Sequence, residues 1–284
     1  MRLLTLNTHS LVEPDYDSKL QIFIEAIKEM RPDVIALQEV NQTSGKRKLS
    51  DAEAPGRVLN GYEQKEISED NHVAKVAAAL CQAGLMYYWT WLPMKLGYGV
   101  YDEGLAIMSR RPIARTDVEL LSRTSSYNDW RCRYLLGIQH SGSDDWYYST
   151  HLGWWDDEKE PFKEQWQRLE KHIGKKKEHS RVFLLGDFNS PAQVRGEGYD
   201  LIKANGWLDT YGMAAAKDDG ITVPGIIDGW REKLAETESA EGMRIDQIWC
   251  SSSLAVKSSR VCFDGRREAV VSDHFGILVE IEDS

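Results

Sequence analysis

The chain has 284 residues, 42% of them hydrophobic, and carries 35 Lys and Arg against 45 Asp and Glu for a net charge of −10. That length and apolar content suffice for one large buried core, while a mean hydropathy of −0.49 and the lack of any long apolar run exclude a membrane-spanning helix. The acidic balance argues against a long polyanionic ligand, because nucleic-acid binding needs a basic face to neutralise phosphates.

The elements follow in chain order. Residues 3–7, "LLTLN", form a short apolar run that predicts a buried strand ending at Asn7. From Asp15 to Met30 the apolar residues Leu20, Phe23, Ile24 and Ile27 fall at helical spacing, and "RPD" at 31–33 stops the helix. "VIALQEV", 34–40, is a second apolar strand ending in the carboxylate of Glu39, followed by a polar, aperiodic stretch at 41–60 that predicts a long loop. A helix is expected at 73–83, then strands at 86–92, 104–109, 117–122, 133–139 and 146–152. Lys159 to Lys176 reads as a helix with Phe162, Trp166, Leu169 and Ile173 on one face. "RVFLLGDFN", 181–189, is a strand ending in polar residues, a helix covers 196–204, and 212–243 is loose and Gly-rich. The last strands are 244–251, 256–263 and 276–281.

There is no internal repeat and no low-complexity linker, so the expectation is a single domain over residues 1–284. The helices do not alternate strictly with strands. That favours an α+β fold, a four-layer α/β/β/α sandwich of two packed mixed sheets with helices outside, over a parallel doubly wound sheet. Cys81, Cys132, Cys250 and Cys262 show neither metal-type nor framework spacing, and "MRLLTLNTHS" is too short in its apolar part for a signal peptide. Both point to reduced thiols in a cytoplasmic protein.

Polar residues recur where the apolar strands end: Asn7, Glu39, His151, Asp187 with Asn189, Asp246, and Asp273 with His274. Burying one carboxylate without a partner is costly, and burying several together calls for a cation. Glu39, Asp187 and Asp246 converging at one sheet edge would suit a hard, oxygen-loving ion, Mg²⁺ or Mn²⁺. The histidines would bind a phosphate or move protons.

"LTLNTHS", "DVIALQEV", "EGLAIMSRRPI", "STHL", "LLGDFNSPA", "RIDQIWCS" and "VSDHFGI" resemble, in order and spacing, the motifs of the endonuclease/exonuclease/phosphatase superfamily, which includes DNase I-like nucleases, inositol polyphosphate 5-phosphatases and neutral sphingomyelinases. The resemblance spans residues 3 to about 281 and implies a divalent-metal phosphoesterase. It implies Glu39 as a direct Mg²⁺ ligand with Asn7 beside it, Asp187 as the carboxylate that deprotonates the attacking water, and Asn189 as an amide holding the phosphate. His274 and His151 would touch the phosphate, and Arg133 matches a less specific position. Asp246 and Asp273 share the metal and histidine-orienting roles, without a partition between them.

The "NTHS", "STHLGWWDDE" and "DGITV…IDGW" segments are similar to bacterial maltose 6′-phosphate phosphatases of that superfamily. With the acidic charge and the loop tryptophans, they point to a small phosphorylated sugar as substrate, not to nucleic acid or a membrane; the alternative is a nuclease or phosphodiesterase acting on DNA or RNA, or a sphingomyelinase-like phosphodiesterase. The sequence says nothing of oligomeric state. Trp130, Trp154, Trp155 and Trp230 lie in polar loops and are expected to contact substrate, whereas Trp89, Trp91, Trp207 and Trp249 are expected in the core. His9 stands open between pocket residue and bystander. His72, His140, His172 and His179 are expected at the surface.

Overall fold

The structure is a computed structural model that describes residues 1–62, 65–225 and 242–282. Thirteen strands and five α-helices follow one another among the described residues. They are β1 (Arg2–Asn7), α1 (Tyr16–Met30), β2 (Val34–Thr43), α2 (His72–Gln82), β3 (Tyr88–Gly97), β4 (Tyr101–Ser109), β5 (Ile113–Leu120), β6 (Tyr134–His140) and β7 (Trp146–His151). Then come α3 (Phe162–His179), β8 (Val182–Asp187), α4 (Gly198–Ala204), β9 (Leu208–Asp209), α5 (Thr210–Met213), β10 (Ala216–Lys217), β11 (Asp246–Cys250), β12 (Val256–Cys262) and β13 (Gly276–Ile281).

They build a seven-stranded sheet, β10-β12-β13-β1-β2-β4-β3, and a six-stranded sheet, β5-β6-β7-β8-β11-β9. Both sheets are mixed: β1 runs parallel to β2 and antiparallel to β13, and β7 runs parallel to β8 and antiparallel to β6.

The near-continuous apolar runs in β1, β2 and β8 have a simple cause: both faces of each sheet are covered. In β1, Leu3 points into the core between the sheets, with Ala36, Ile107, Phe183 and Ile248. Leu4 and Leu6 point the other way, against Phe23 and Ile27 of α1 and Val76 and Leu80 of α2. In β8, Phe183 and Leu185 join the inter-sheet core, while Val182 and Leu184 meet Trp166, Leu169 and Ile173 of α3. This period-two sorting produces the expected four layers, helix, sheet, sheet, helix. Trp89, Trp91, Trp207 and Trp249 are buried, as expected. The four cysteines are free thiols. No helix among the described residues is long and apolar enough to cross a membrane.

Besides shifts at strand ends, such as β3 at Tyr88–Gly97 and β5 at Ile113–Leu120, the structure corrects the sequence reading in β2, in the loop after it and at two histidines. Strand β2 does not stop at Glu39. It continues to Thr43 through an irregularity between Leu37 and Val40, so the expected loop loses its first residues. The rest of that loop is not featureless: Ser50 and Glu53 close a capping box on a short 3-10 turn at Asp51–Glu53. His72 and His140 are buried, not at the surface. His72 opens α2 against Phe23, with its Nδ1 3.1 Å from the Tyr16 hydroxyl, and His140 Nε2 lies 2.8 Å from Ser109 Oγ. Polar neighbours in the sequence conceal both, because in each case one polar partner supplied from a distant element makes burial tolerable. His172 is half-buried beside Asp117, and His179 is exposed.

Candidate active site

Strands β1, β2, β7, β8 and β11 and the turn before β13 bring their polar residues to one edge of the sandwich. Pairing register does much of the placing: Asp187 faces His151 on one side and Asp246 on the other. A Cβ at Gly186 would lie 1.9 Å from the Thr150 carbonyl oxygen, so only glycine permits β7 and β8 to approach this closely before Asp187. Glu39 sits at the β2 irregularity with φ +51°, and Asn189 has φ +46°. Non-glycine residues in this region carry local strain, and such strain gathers at functional sites.

Asp187 is the hub. Its Oδ1 accepts from the Asn189 backbone N–H at 2.8 Å, and its Oδ2 accepts from Asn7 Nδ2 at 3.2 Å. The same Asn7 amide donates to Glu39 Oε1 at 3.0 Å, so Asn7 lies behind the pocket and braces two carboxylates. His151 Nε2 is 3.5 Å and His274 Nε2 is 3.9 Å from Asp187 Oδ2. His274 Nδ1 lies 2.9 Å from Asp246 Oδ2, which turns the other ring nitrogen toward Asp187. Asn189 Nδ2 donates to the Leu152 carbonyl at 2.9 Å, fixing the plane of its amide.

The two acids that the sequence leaves unpartitioned thus separate. Asp246 orients His274. Asp273 stands on the far side, its Oδ1 3.8 Å from His9 Nδ1 and its backbone N–H donating to Glu13 Oε1 at 3.1 Å. His9 belongs to the pocket. Its Nδ1 is 2.7 Å from Glu13 Oε1 and its Nε2 3.0 Å from the Tyr98 hydroxyl, while Lys19 pairs with the other Glu13 oxygen.

Burial, and then the Asp246 charge, pushes Asp187 up to about 7. Burial, and then Glu103, raises Glu39. Burial alone would lower His274, but the charge and hydrogen bond of Asp246 outweigh it and raise the imidazole to about 10. His151 goes the other way: burial, Arg133, Lys95 and His274 hold it well below its ordinary value, as the neutral ring. Asp246 Oδ1 is buried and has no hydrogen-bond partner among the described residues.

This donor set fits a hard divalent cation. Asp187, Asp246 and His274 offer ligand atoms within 4.8 Å of one another, as do His9, Glu13 and Asp273. Glu39 lines the same pocket as Asp273, and every one of these donors is a carboxylate or an imidazole, with no thiolate among them.

The pocket has a volume of about 210 Å³. Glu39, His151, Asp187, Asn189, Asp273 and His274 line it, together with Arg133 and Trp154, whereas Asn7 and Asp246 stand behind the lining. Trp130 completes an aromatic wall, its ring 5.2 Å from that of Trp154. Trp155 is a correction: it does not line the pocket but packs half-buried on Phe162, 6.0 Å between rings, against the α3 core. The turn after Gly153 sends the adjacent tryptophans to opposite sides. Trp230 lies outside the described residues. Sequence reasoning missed Lys95, Tyr98 and Glu13. Lys95 had a signal, a lysine inside the apolar run "WTWLPMKLG"; Tyr98 and Glu13 had none.

A sandwich of this kind, two packed mixed sheets with helices outside, has the architecture of the DNase I-like fold. The model of the endonuclease/exonuclease/phosphatase family matches residues 4–274, and the chain belongs to that family of metal-dependent phosphoester hydrolases. It is similar to an endonuclease/exonuclease/phosphatase family protein from Leptotrichia buccalis C-1013-b, with 32% identity over 100% of both chains and a TM-score of 0.83. Two other solved structures share the fold. One is a mannosyl-6-phosphatase from Bacteroides thetaiotaomicron VPI-5482, at 17% identity over 100% of both chains and a TM-score of 0.65. The other is a 3′ phosphatase from Neisseria bound to product DNA hairpin, at 20% identity over 100% of both chains and a TM-score of 0.62. Comparison with curated proteins finds no match.

Proposed function

We propose that this chain is a divalent-metal phosphomonoesterase, Mg²⁺- or Mn²⁺-dependent, that releases phosphate from a small phosphorylated sugar of the maltose 6′-phosphate type. The observation that carries the reading is one pocket lined at its base by Asp187 and His274, with Asp246 behind His274, and walled by Trp130 and Trp154. A flat indole pair beside a phosphate site suits a sugar ring. The net charge of −10 favours a small ligand over a nucleic-acid duplex. The mannosyl-6-phosphatase of similar fold is consistent with a sugar phosphate.

In this reading Glu39 and Asp273 hold the metal, with Asn7 fixing the Glu39 carboxylate. When bound, the metal supplies charge neutralisation at phosphate oxygens. Asp187, braced by Asn7 and the Asn189 N–H and poised near pH 7, takes the proton from water as the water oxygen attacks phosphorus. The bond from phosphorus to the sugar oxygen breaks, that oxygen takes up a proton from solvent so that the sugar leaves as the alcohol, and Asp187 returns its proton to solvent as phosphate departs. His274, kept protonated by Asp246, donates a hydrogen bond to the phosphate through Nε2. Neutral His151 and the Asn189 amide complete the phosphate cradle.

The test is phosphate release by purified protein with Mg²⁺ on a panel of sugar phosphates, including maltose 6′-phosphate and mannose 6-phosphate, beside 3′-phosphorylated and plasmid DNA. Sugar phosphates are expected to be the best substrates. Cleavage of DNA without phosphate release would overturn the reading in favour of a nuclease.

A further inference from the structure

Arg133 is 4% exposed and lines the pocket, yet it makes no ion pair among the described residues. Its Nη1 donates to two backbone carbonyls, Trp130 at 2.6 Å and Cys132 at 3.1 Å, and its Nε has no partner. A buried guanidinium without a directly paired carboxylate is costly, and this one borders a cavity, so an anion there would complete its hydrogen bonding.

Lys95 borders the same cavity, 8% exposed. It stands opposite Glu103 in the β3–β4 register, with Nζ 3.0 Å from Glu103 Oε1. The pair has room because residue 97 is glycine: a Cβ there would lie 2.5 Å from Glu103 Oε2. Lys95 Nζ also donates to the Trp130 carbonyl at 3.3 Å. One carbonyl therefore latches both cations, and the indole of that same residue forms the aromatic wall.

Pairing decides what the two would select. Lys95 pairs with Glu103 and His274 with Asp246; the charges of Glu103, Glu39 and Asp187 reach Arg133, but none of them forms an ion pair with it, which leaves Arg133 as the pocket cation with an open guanidinium edge. A phosphomonoester carries a second negative charge at neutral pH that a phosphodiester lacks. We propose that Arg133, with Lys95 beside it, is the specificity determinant that selects a dianionic phosphomonoester over a phosphodiester. This rests on the phosphomonoesterase reading and names the residues that would make it one. The shared Trp130 carbonyl then ties the position of the phosphate to that of the wall that receives the leaving group.

The test compares p-nitrophenyl phosphate with bis(p-nitrophenyl) phosphate in Mg²⁺, and measures inorganic phosphate binding by calorimetry in EDTA. For Arg133→Met, kcat/KM on the monoester is expected to fall about 100-fold, and that on the diester less than about threefold, since a charge-assisted hydrogen-bond pair to the second anionic charge is lost. Phosphate affinity should fall at least about tenfold by the same loss. Lys95→Met combined with Glu103→Gln, which leaves no orphaned carboxylate, should move all three in the same direction by about tenfold or less. The thermal midpoint of Arg133→Met should hold or rise, because a buried charge without a direct ion pair is removed; a structural clamp on the two carbonyls would instead lower it. Equal losses on the two esters, or unchanged phosphate affinity, would overturn the selection. A wild-type protein that turns over no monoester at all would overturn the phosphomonoesterase reading instead.

Discussion

The pocket has a floor and a wall, and they are built in different ways. The floor is Asp187 with Asn7 and Asp246 supporting it from behind; all three are the last or first residues of paired strands, each 1% exposed, and they bond to one another or to a common partner. The wall is made by loop residues: Trp130 is 41% exposed, and Tyr98, at the β3–β4 turn, 54%. Strand ends are positioned by two sheets and cannot shift without moving the core, whereas loop side chains can change identity at little cost to the fold. A floor of this kind preserves a chemistry, and a wall of this kind allows a choice of substrate.

The floor can be broken most decisively at Asp187. Asp187→Ala should lower turnover about 10³-fold or more, the size of effect that loss of a general base together with its electrostatic role produces. The protein should still fold, because the removed carboxylate is one that burial and Asp246 disfavour in its charged form. Near-normal rates would move the base elsewhere.

The second prediction concerns metal and pH. Removal of divalent ions should abolish turnover, and Glu39→Gln should lose most of the metal-induced rise in thermal midpoint, which is measurable without substrate. In the metal-free protein His274 is raised from 6.5 to about 10 and His9 from 6.5 to about 9. For His9 the opposing burial is outweighed by Glu13, Asp273 and Glu39. A group held more protonated in the folded state contributes stability below its unfolded pKa and loses it as pH rises through the folded one. Metal-free stability should therefore fall between about pH 7 and 9, where His72, His140 and His151, all lowered, are neutral in both states and add no slope. Metal-induced stabilisation should grow over the same window, since a cation held by Glu39 and Asp273 is repelled less by neighbouring His9 and His274 as these lose their protons. Midpoints measured by scanning calorimetry with and without Mg²⁺ check both signs; a metal-free midpoint rising with pH would contradict the charge assignment of the floor.

How much of this is legible in the sequence follows from the same contrast. Asn7, Asp187, Asp246 and His274 stand out because a polar residue ending or following a buried run needs a reason. The partition between Asp246 and Asp273 is not legible, because it depends on which side of the pocket each strand end faces. The irregularity that carries β2 past Glu39 is likewise silent, since "QEVNQT" has no glycine to mark it. Arg133 is visible as a position, but its lack of a directly paired carboxylate is a fact of three dimensions. His72 and His140 were misplaced because partners from distant elements, Tyr16 and Ser109, satisfy them.

The wall gives a smaller and more selective effect. Trp154→Ala and Trp130→Ala should each raise KM for the sugar phosphate about tenfold, the value of one lost stacking contact, while p-nitrophenyl phosphate turnover stays within a few-fold. Equal losses on both substrates would mean that the pair shapes the phosphate site and not the leaving-group site.

The smallest effect on turnover is expected one residue along. Trp155 adjoins Trp154 in sequence but turns away from the pocket, onto Phe162 and the α3 core. Trp155→Ala should cost about 1–3 kcal/mol of stability, less than the loss of a fully buried tryptophan because Trp155 is only half-buried. Its KM and kcat for the sugar phosphate should match those of the wild type within about twofold, as for a change that touches only packing. Urea unfolding and steady-state kinetics on the two single variants would thus separate neighbours that composition alone makes equivalent. If Trp155→Ala raised KM as Trp154→Ala does, the wall would extend past the turn at Gly153, and the division between floor and wall would have to be redrawn there.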